Sequence, residues 1–68
     1  MIYINVWAIE NGAEVTIGNT DTSVDENNYY SHQILKTFKD EIKANVYAQE
    51  LFNILSKELG DKVVINTL

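Results

Sequence analysis

The chain has 68 residues, of which 46% are hydrophobic, contains neither cysteine nor proline, and carries a formal net charge of −5 at pH 7. This length predicts one domain over residues 1–68, and the hydrophobic content is too high for a disordered acidic tail. The lack of cysteine excludes disulfides and cysteine-bound zinc, and no apolar run approaches the roughly 20 residues of a transmembrane helix. We therefore expect a cytoplasmic protein whose small core depends on regular packing or on a second copy of the chain.

The excess negative charge lies entirely in the first half of the sequence. Residues 1–35 contain five acidic residues and neither lysine nor arginine, whereas from Lys36 onward five acids are balanced by five lysines. The acids of the first half are Glu10, Glu14, Asp21, Asp25 and Glu26. Such an asymmetric field repels nucleic acid and steers association with basic surfaces. We therefore expect the partner to be a basic protein surface, with no direct contact to nucleic acid or membrane.

The N-terminal residues predict a β-hairpin. Residues 2–9 are rich in β-branched and aromatic side chains, and residues 13–18 alternate between apolar and polar types. Between them, Asn11-Gly12 favours a type I′ turn, in which both central residues have positive φ. That turn would pair Val6 with Ile17 on an apolar face. The opposite face of the hairpin would carry Tyr3, Trp7 and Ile9.

Residues 19–28 are polar and predict a loop before a helix. Ser23 and Glu26 have the spacing of a capping box. The alternating oxygen-bearing side chains match a calcium-binding loop only faintly, because Val24 and Tyr30 stand where its glycine and final glutamate belong. A solvated loop or an acidic contact surface explains the segment better.

Residues 29–59 carry apolar side chains at helical spacing. The apolar stripe lapses at Asn45, so the segment predicts one helix of roughly 45 Å that overhangs the sheet, or two helices that separate near Asn45. Gly60 favours a helix end, and residues 62–67 predict a final strand. The predicted fold class is α+β in two layers. The hairpin and the C-terminal strand form one small sheet packed against a long, continuous or broken, helix, in the order β-β-α-β or β-β-α-α-β.

Two interpretations of the face with Tyr3, Trp7 and Ile9 remain open. If helices cover only the other side of the sheet, this face meets water, and exposed aromatic residues rimmed by polar ones are typical of an interface. A helix that covers it would make it a second core. His32 is the only histidine and lacks the neighbours of a metal centre or catalytic base, so we assign no catalytic residue, no metal and no cofactor.

The order hairpin, helix, strand, with Ala48-Gln49-Glu50-Leu51 on the helix and Val63-Val64-Ile65-Asn66-Thr67 after it, resembles part of a ribonuclease H-like fold. The resemblance implies a metal site formed by strand aspartates and a helix glutamate, which Glu50 would match. The first strand offers no aspartate, and a shared fold does not transfer function. In size, acidity and lack of motifs the chain is also similar in character to small phage-encoded inhibitors, such as anti-CRISPR proteins.

These observations favour a small acidic, non-catalytic protein-binding module. It would inhibit its partner by occupying a basic, nucleic-acid-binding surface, as phage-encoded anti-host or anti-CRISPR proteins do. The alternative is a homo-oligomeric structural protein assembled through the aromatic hairpin face and the helix, and a more remote one is a metal-dependent ribonuclease H-like remnant acting through Glu50. The first two are compatible, since a dimer can also be an inhibitor, and we expect a homo-oligomer. The predicted partner-binding residues are Tyr3, Trp7, Ile9, Glu10, Glu14, Asp21, Asp25 and Glu26.

Overall fold

In the computed structural model, which describes residues 1–20 and 30–68, one helix packs on a four-stranded mixed sheet. The strand order is β3-β2-β1-β4, with β1 antiparallel to β2 and parallel to β4, and β2 antiparallel to β3. The α+β class and its two layers, a sheet and a long helix, are confirmed. The elements in chain order are β1 (Ile2–Ile9), β2 (Gly12–Thr20), β3 (Tyr30–Phe38), α1 (Glu41–Leu59), a 3₁₀ turn (Gly60–Lys62) and β4 (Val63–Asn66).

The third strand is the main departure from the sequence prediction. The helix expected from residue 29 begins only at Glu41, and residues 30–38 instead form an edge strand that pairs with β2. A β-bulge explains the difference: Val15 pairs with Lys36 and Thr16 with Ile34, which leaves Leu35 as an extra residue. The bulge breaks the alternation that identifies a strand. The predicted capping box and calcium-like pattern fall largely on residues 21–29, outside the described residues.

The helix α1 is continuous through Asn45, where a break was one of two alternatives. It begins at the N-cap Asp40, whose Oδ1 accepts a hydrogen bond of 2.9 Å from the Ile42 backbone N–H. It ends at Gly60, as predicted, where φ is 63° and the backbone N–H donates to the Ser56 carbonyl. The helices of the described residues include none that is long and apolar enough to cross a membrane.

The polar residue that interrupts the apolar stripe connects the helix to the end of the chain. The Asn45 side-chain amide donates to the Leu68 carbonyl at 3.3 Å and accepts from the Leu68 N–H at 3.2 Å. The lapse at Asn45 therefore reflects a polar tertiary contact and not a helix break.

The helix and the strands have matching lengths. At about 1.5 Å per residue, the 19 residues of α1 span about 28 Å. At about 3.3 Å per residue, the strands of eight and nine residues span about 26–30 Å. The prediction of one helix of roughly 45 Å over residues 29–59 is therefore wrong, and α1 is about as long as the strands on which it packs.

The hairpin is confirmed, but its register differs by two residues from the predicted one. The turn lies at Glu10-Asn11, and Ile9 pairs with Gly12, Val6 with Val15, and Trp7 with Glu14. Asn11 has φ of 67° and is the one non-glycine residue with positive φ in the described chain, which excludes a type I′ turn. A shift of two residues keeps each side chain on its predicted face, because the side-chain period of a strand is two.

A small apolar core lies between the sheet and α1. Ile4 and Val15 are fully buried at its centre, and Ala44 and Ala48 on α1 let the helix backbone approach the sheet closely. Half-buried side chains surround this centre, among them Tyr47, Leu51, Phe52 and Leu55 of the helix.

The Lys36 side chain lies over one aromatic ring of β3 and one of α1. Lys36 Nζ lies 5.2 Å from the ring centroid of Phe38 and 5.8 Å from that of Tyr47, and the two rings are 5.4 Å apart. These are cation–π distances. Lys36 therefore lies on the helix side of the sheet.

Candidate partner-binding face

The sheet face opposite α1 is formed by alternate residues of all four strands. Residues that pair across neighbouring strands share a face, because side chains alternate along each strand. We call this surface the open face. Its described side chains are Tyr3, Asn5, Trp7, Ile9, Glu14, Thr16, Ile34, Thr37, Val64 and Asn66.

The open face is uncovered within residues 1–20 and 30–68. The single helix of this part of the chain packs on the other face, whose strand residues form the core with Ala44 and Ala48. On the open face, Trp7 is 49% exposed and Ile9 is 38% exposed. The described part of the chain therefore forms no second core here.

The indole of Trp7 is held in place by a hydrogen bond across the hairpin. Its Nε1–H donates to Thr16 Oγ1 at 2.9 Å, and Thr16 is only 1% exposed. Trp7 pairs directly with Glu14, so Thr16 is the diagonal neighbour on β2, and the indole must extend across β2 to reach it. Trp7 therefore presents a fixed aromatic surface to solvent.

Two isoleucines extend the apolar surface around Trp7. Ile34 pairs with Thr16 from β3 and is 53% exposed, and Ile9 lies on β1 two residues beyond Trp7. The open face thus carries one aromatic and two aliphatic side chains, each at least a third exposed. Exposed apolar residues that share a face and are rimmed by polar ones are typical of interaction sites.

Acidic residues lie at the hairpin end of the open face. Glu14 faces Trp7 directly and is half-buried, and Glu10 is exposed in the turn. Glu14 is the only charged residue among the described side chains that the strands place on the open face. Lys36, the one lysine within the four described strands, lies on the helix side of the sheet. Lys39, just after β3, has its backbone beside Gly12 at the border of this end. The strands therefore supply apolar side chains and one carboxylate, that of Glu14, near the turn.

The other end of the open face is more polar and better packed. Tyr3 is half-buried and lies between Gly18 of β2 and Val64 of β4. Asn66 Nδ2 donates to Asn5 Oδ1 at 2.9 Å, which links β4 to β1, and Asn5 is buried. We therefore place the centre of the candidate site at Trp7 and not at Tyr3.

The structure brings together most, but not all, of the residues predicted from the sequence. Tyr3, Trp7, Ile9 and Glu14 share the open face, and Glu10 lies at its end. Asp21, Asp25 and Glu26 lie outside the described residues. Glu50, the acid of the ribonuclease H-like resemblance, is exposed on α1. Within the described part of the chain, no three or more His, Cys, Asp or Glu side chains are grouped to hold a metal ion.

The sequence prediction missed Ile34 and the role of Thr16. Ile34 was assigned to a helix, because Leu35, Phe38 and Ile42 have helical spacing and the strand alternation is broken at the bulge. The predicted register, with Val6 opposite Ile17, would put Thr16 opposite Trp7, whereas Thr16 contacts Trp7 from the diagonal position. The neighbouring Ile34 and Leu35 were the signal available, since two adjacent aliphatic residues in a polar segment also suit an edge strand.

Comparison of the chain with family models, with curated proteins and with solved structures found no match.

Proposed function

We propose that the chain is a non-catalytic protein-binding module whose open face docks on a basic surface of a partner protein. The observation that carries this proposal is Trp7, a half-exposed indole fixed by its hydrogen bond to buried Thr16. Tryptophan is enriched among the residues that dominate binding energy, and a fixed side chain loses little entropy on binding. The exposed Ile9 and Ile34 supply the surrounding apolar contact.

The charge distribution supports a basic partner. Glu14 and Glu10 lie at the hairpin end of the open face, and Asp21, Asp25 and Glu26 add to the negative charge of the same half of the sequence. Lysine and arginine line the surfaces that bind nucleic acid. A partner of this kind would have its groove occupied by the acidic module, which would inhibit it by competition with nucleic acid.

The docking face can be tested with a matched pair of substitutions. Ile34→Ala removes an apolar side chain from the open face, and Ile54→Ala removes one of similar exposure, 53% against 64%, from the helix. We expect Ile34→Ala and Trp7→Ala to weaken capture of the partner by the tagged protein, and Ile54→Ala to leave it unchanged. Loss of a tryptophan hot spot of about 2 kcal/mol corresponds to roughly 30-fold in affinity.

The capture is measured from a cell lysate at low and at high salt, with each variant first shown to retain the circular dichroism spectrum of the parent. Capture that depends on Trp7 and Ile34 and falls at high salt supports the proposal. Capture that is equally sensitive to Ile54→Ala, or insensitive to Trp7→Ala, would show that the open face is not the docking surface.

Electrostatic steering is tested by reversing charges in the two halves. We expect lysine at Asp21, Asp25 and Glu26 to slow association with the captured partner at low salt, because steering acts mainly on the association rate. The control replaces three acids of the second half, Glu50, Glu58 and Asp61, and makes the same change in net charge. Equal rates for the two triple variants would discard steering by the acidic half.

A second copy of the chain is the alternative occupant of the open face. The observation in its favour is the exposed apolar surface of Trp7, Ile9 and Ile34 on a domain with a small core. Face-to-face pairing would however bring Glu10 and Glu14 of both copies together, which costs free energy by like-charge repulsion. Light scattering after size exclusion decides between the two: a dimer that Trp7→Ala dissociates favours self-assembly, and a monomer favours the foreign partner.

A further inference from the structure

We propose that Trp7 and Glu14 form a receptor for one arginine side chain of the partner, a proposal that rests on the proposed function. The guanidinium plane would stack on the outward surface of the Trp7 indole, and its N–H groups would donate to the Glu14 carboxylate.

The geometry of the pair suits a planar cation. Trp7 and Glu14 are direct cross-strand partners on the open face. The Cβ atoms of such a pair lie roughly 4.5–5.5 Å apart, so we place the bound cation between the two side chains, within about 6 Å of the indole ring centroid and beside the carboxylate. One bound group can therefore make the cation–π contact and the ion pair together.

The polar group of the indole is already used, which leaves its ring as the recognition surface. Nε1–H donates to Thr16 Oγ1 and orients the ring across β2. Glu14 is half-buried, so its charge is less screened than that of a fully exposed acid. The hydrogen bond to Thr16 thus fixes the indole before the partner arrives, which lowers the entropy cost of binding.

The chemistry of the site selects arginine over lysine. A guanidinium is planar, weakly hydrated and able to stack on an aromatic ring while donating two parallel hydrogen bonds to a carboxylate. An ammonium group is a strongly hydrated point charge, which has no plane to stack on the ring and cannot donate two parallel hydrogen bonds to one carboxylate. We therefore expect the receptor to prefer arginine at equal charge.

The composition of the chain separates this site from self-association. All five basic residues are lysines, and the chain contains no arginine. A second copy cannot supply a guanidinium, so the arginine must come from a different protein.

The test uses the fluorescence of Trp7, which is the only tryptophan of the chain. The protein is titrated with a hexaarginine peptide and with a hexalysine peptide at the same ionic strength. We expect a saturable change in Trp7 emission at lower concentration with hexaarginine than with hexalysine. A charge-assisted hydrogen bond contributes about 1.5 kcal/mol or more, so Glu14→Gln should weaken hexaarginine binding by roughly tenfold.

The matched control is Glu50→Gln, which makes the same charge change on an exposed helix residue and should leave hexaarginine affinity within about twofold, as expected for a screened charge. Equal affinity for the two peptides, or equal losses in the Glu14 and Glu50 variants, would overturn the arginine receptor. Circular dichroism confirms that both variants remain folded.

Failure of this inference is distinguishable from failure of the proposed function. Capture of a basic partner that depends on Trp7, without preference for hexaarginine, overturns the arginine receptor alone. Selective binding of hexaarginine supports the receptor if Glu14→Gln weakens that binding. Partner capture that is unchanged by Trp7→Ala overturns the docking face.

Discussion

A single added methyl group at Gly12 should destabilise the sheet. A Cβ there would collide with the Phe38 carbonyl oxygen and would lie 3.0 Å from the Phe38 carbonyl carbon and 3.1 Å from Lys39 Cα. These are backbone atoms at the end of β3, so only a movement of β3 away from β2 relieves the contact. The φ of Gly12 is also 155°, a conformation that L side chains rarely adopt.

The two effects together set the expected magnitude. Overpacking costs about 1–3 kcal/mol, and an unfavourable backbone conformation about 1–3 kcal/mol. A domain of 68 residues at 0.05–0.15 kcal/mol per residue has a free energy of unfolding of about 3–10 kcal/mol. We therefore expect Gly12→Ala to remove about half of the stability. Each 1 kcal/mol corresponds to about 4–8 °C, so Tm should fall by more than about 10 °C.

The assay is urea unfolding followed by circular dichroism, with Gly60→Ala as the control. Gly60 also has positive φ, 63°, but a Cβ there meets nothing within 4 Å, so only backbone strain is added. We expect Gly12→Ala to lose more stability than Gly60→Ala by the cost of the clash. Equal losses would refute the close approach of β3 to Gly12.

Three further predictions concern the site, the helix start and the core. Thr16→Val removes the acceptor of the Trp7 N–H and should cost about 0.5–1.5 kcal/mol of stability. Acrylamide should then quench the Trp7 fluorescence more strongly, and unchanged quenching would count against the hydrogen bond. Asp40→Ala should destabilise the protein by about 1 kcal/mol through loss of the N-cap, and Asp40→Asn by much less, as thermal unfolding will show. Val15→Ala should cost about 2–3 kcal/mol at a fully buried site, whereas Val46→Ala on the exposed helix surface should stay within about 0.5 kcal/mol; similar values would contradict the assigned core.

The parts of the candidate site that were predictable depend on strand alternation alone. Tyr3, Trp7 and Ile9 follow one another at intervals of two, and this period places them on one face for any even shift of register. The residue opposite Trp7 was not predictable in this way. The position of the turn determines the residue opposite Trp7, and Asn11-Gly12 indicated a turn one residue C-terminal to the observed turn at Glu10-Asn11.

Gly12 shows why the turn was misplaced. The sequence interpretation assigned its glycine to a positive φ inside the turn, but the structure uses it in β2, where β3 passes too close for a side chain. A close approach between strands that are distant in sequence leaves no local pattern. The register error therefore reflects this tertiary contact, and the missed third strand reflects the bulge at Leu35.

The sequence by itself determined the local elements and their chemical character. The strands 2–9 and 13–18, the apolar stripe of the second half of the helix and the Gly60 stop are all short-range signals, and the one-sided negative charge is a matter of composition. Only the tertiary structure decided that residues 30–38 form a strand, that Ile34 joins Trp7 on the open face and that Thr16 orients the indole. The physical reason is that an edge strand with a bulge is stabilised by pairing with β2, and that pairing exists only once the chain has folded.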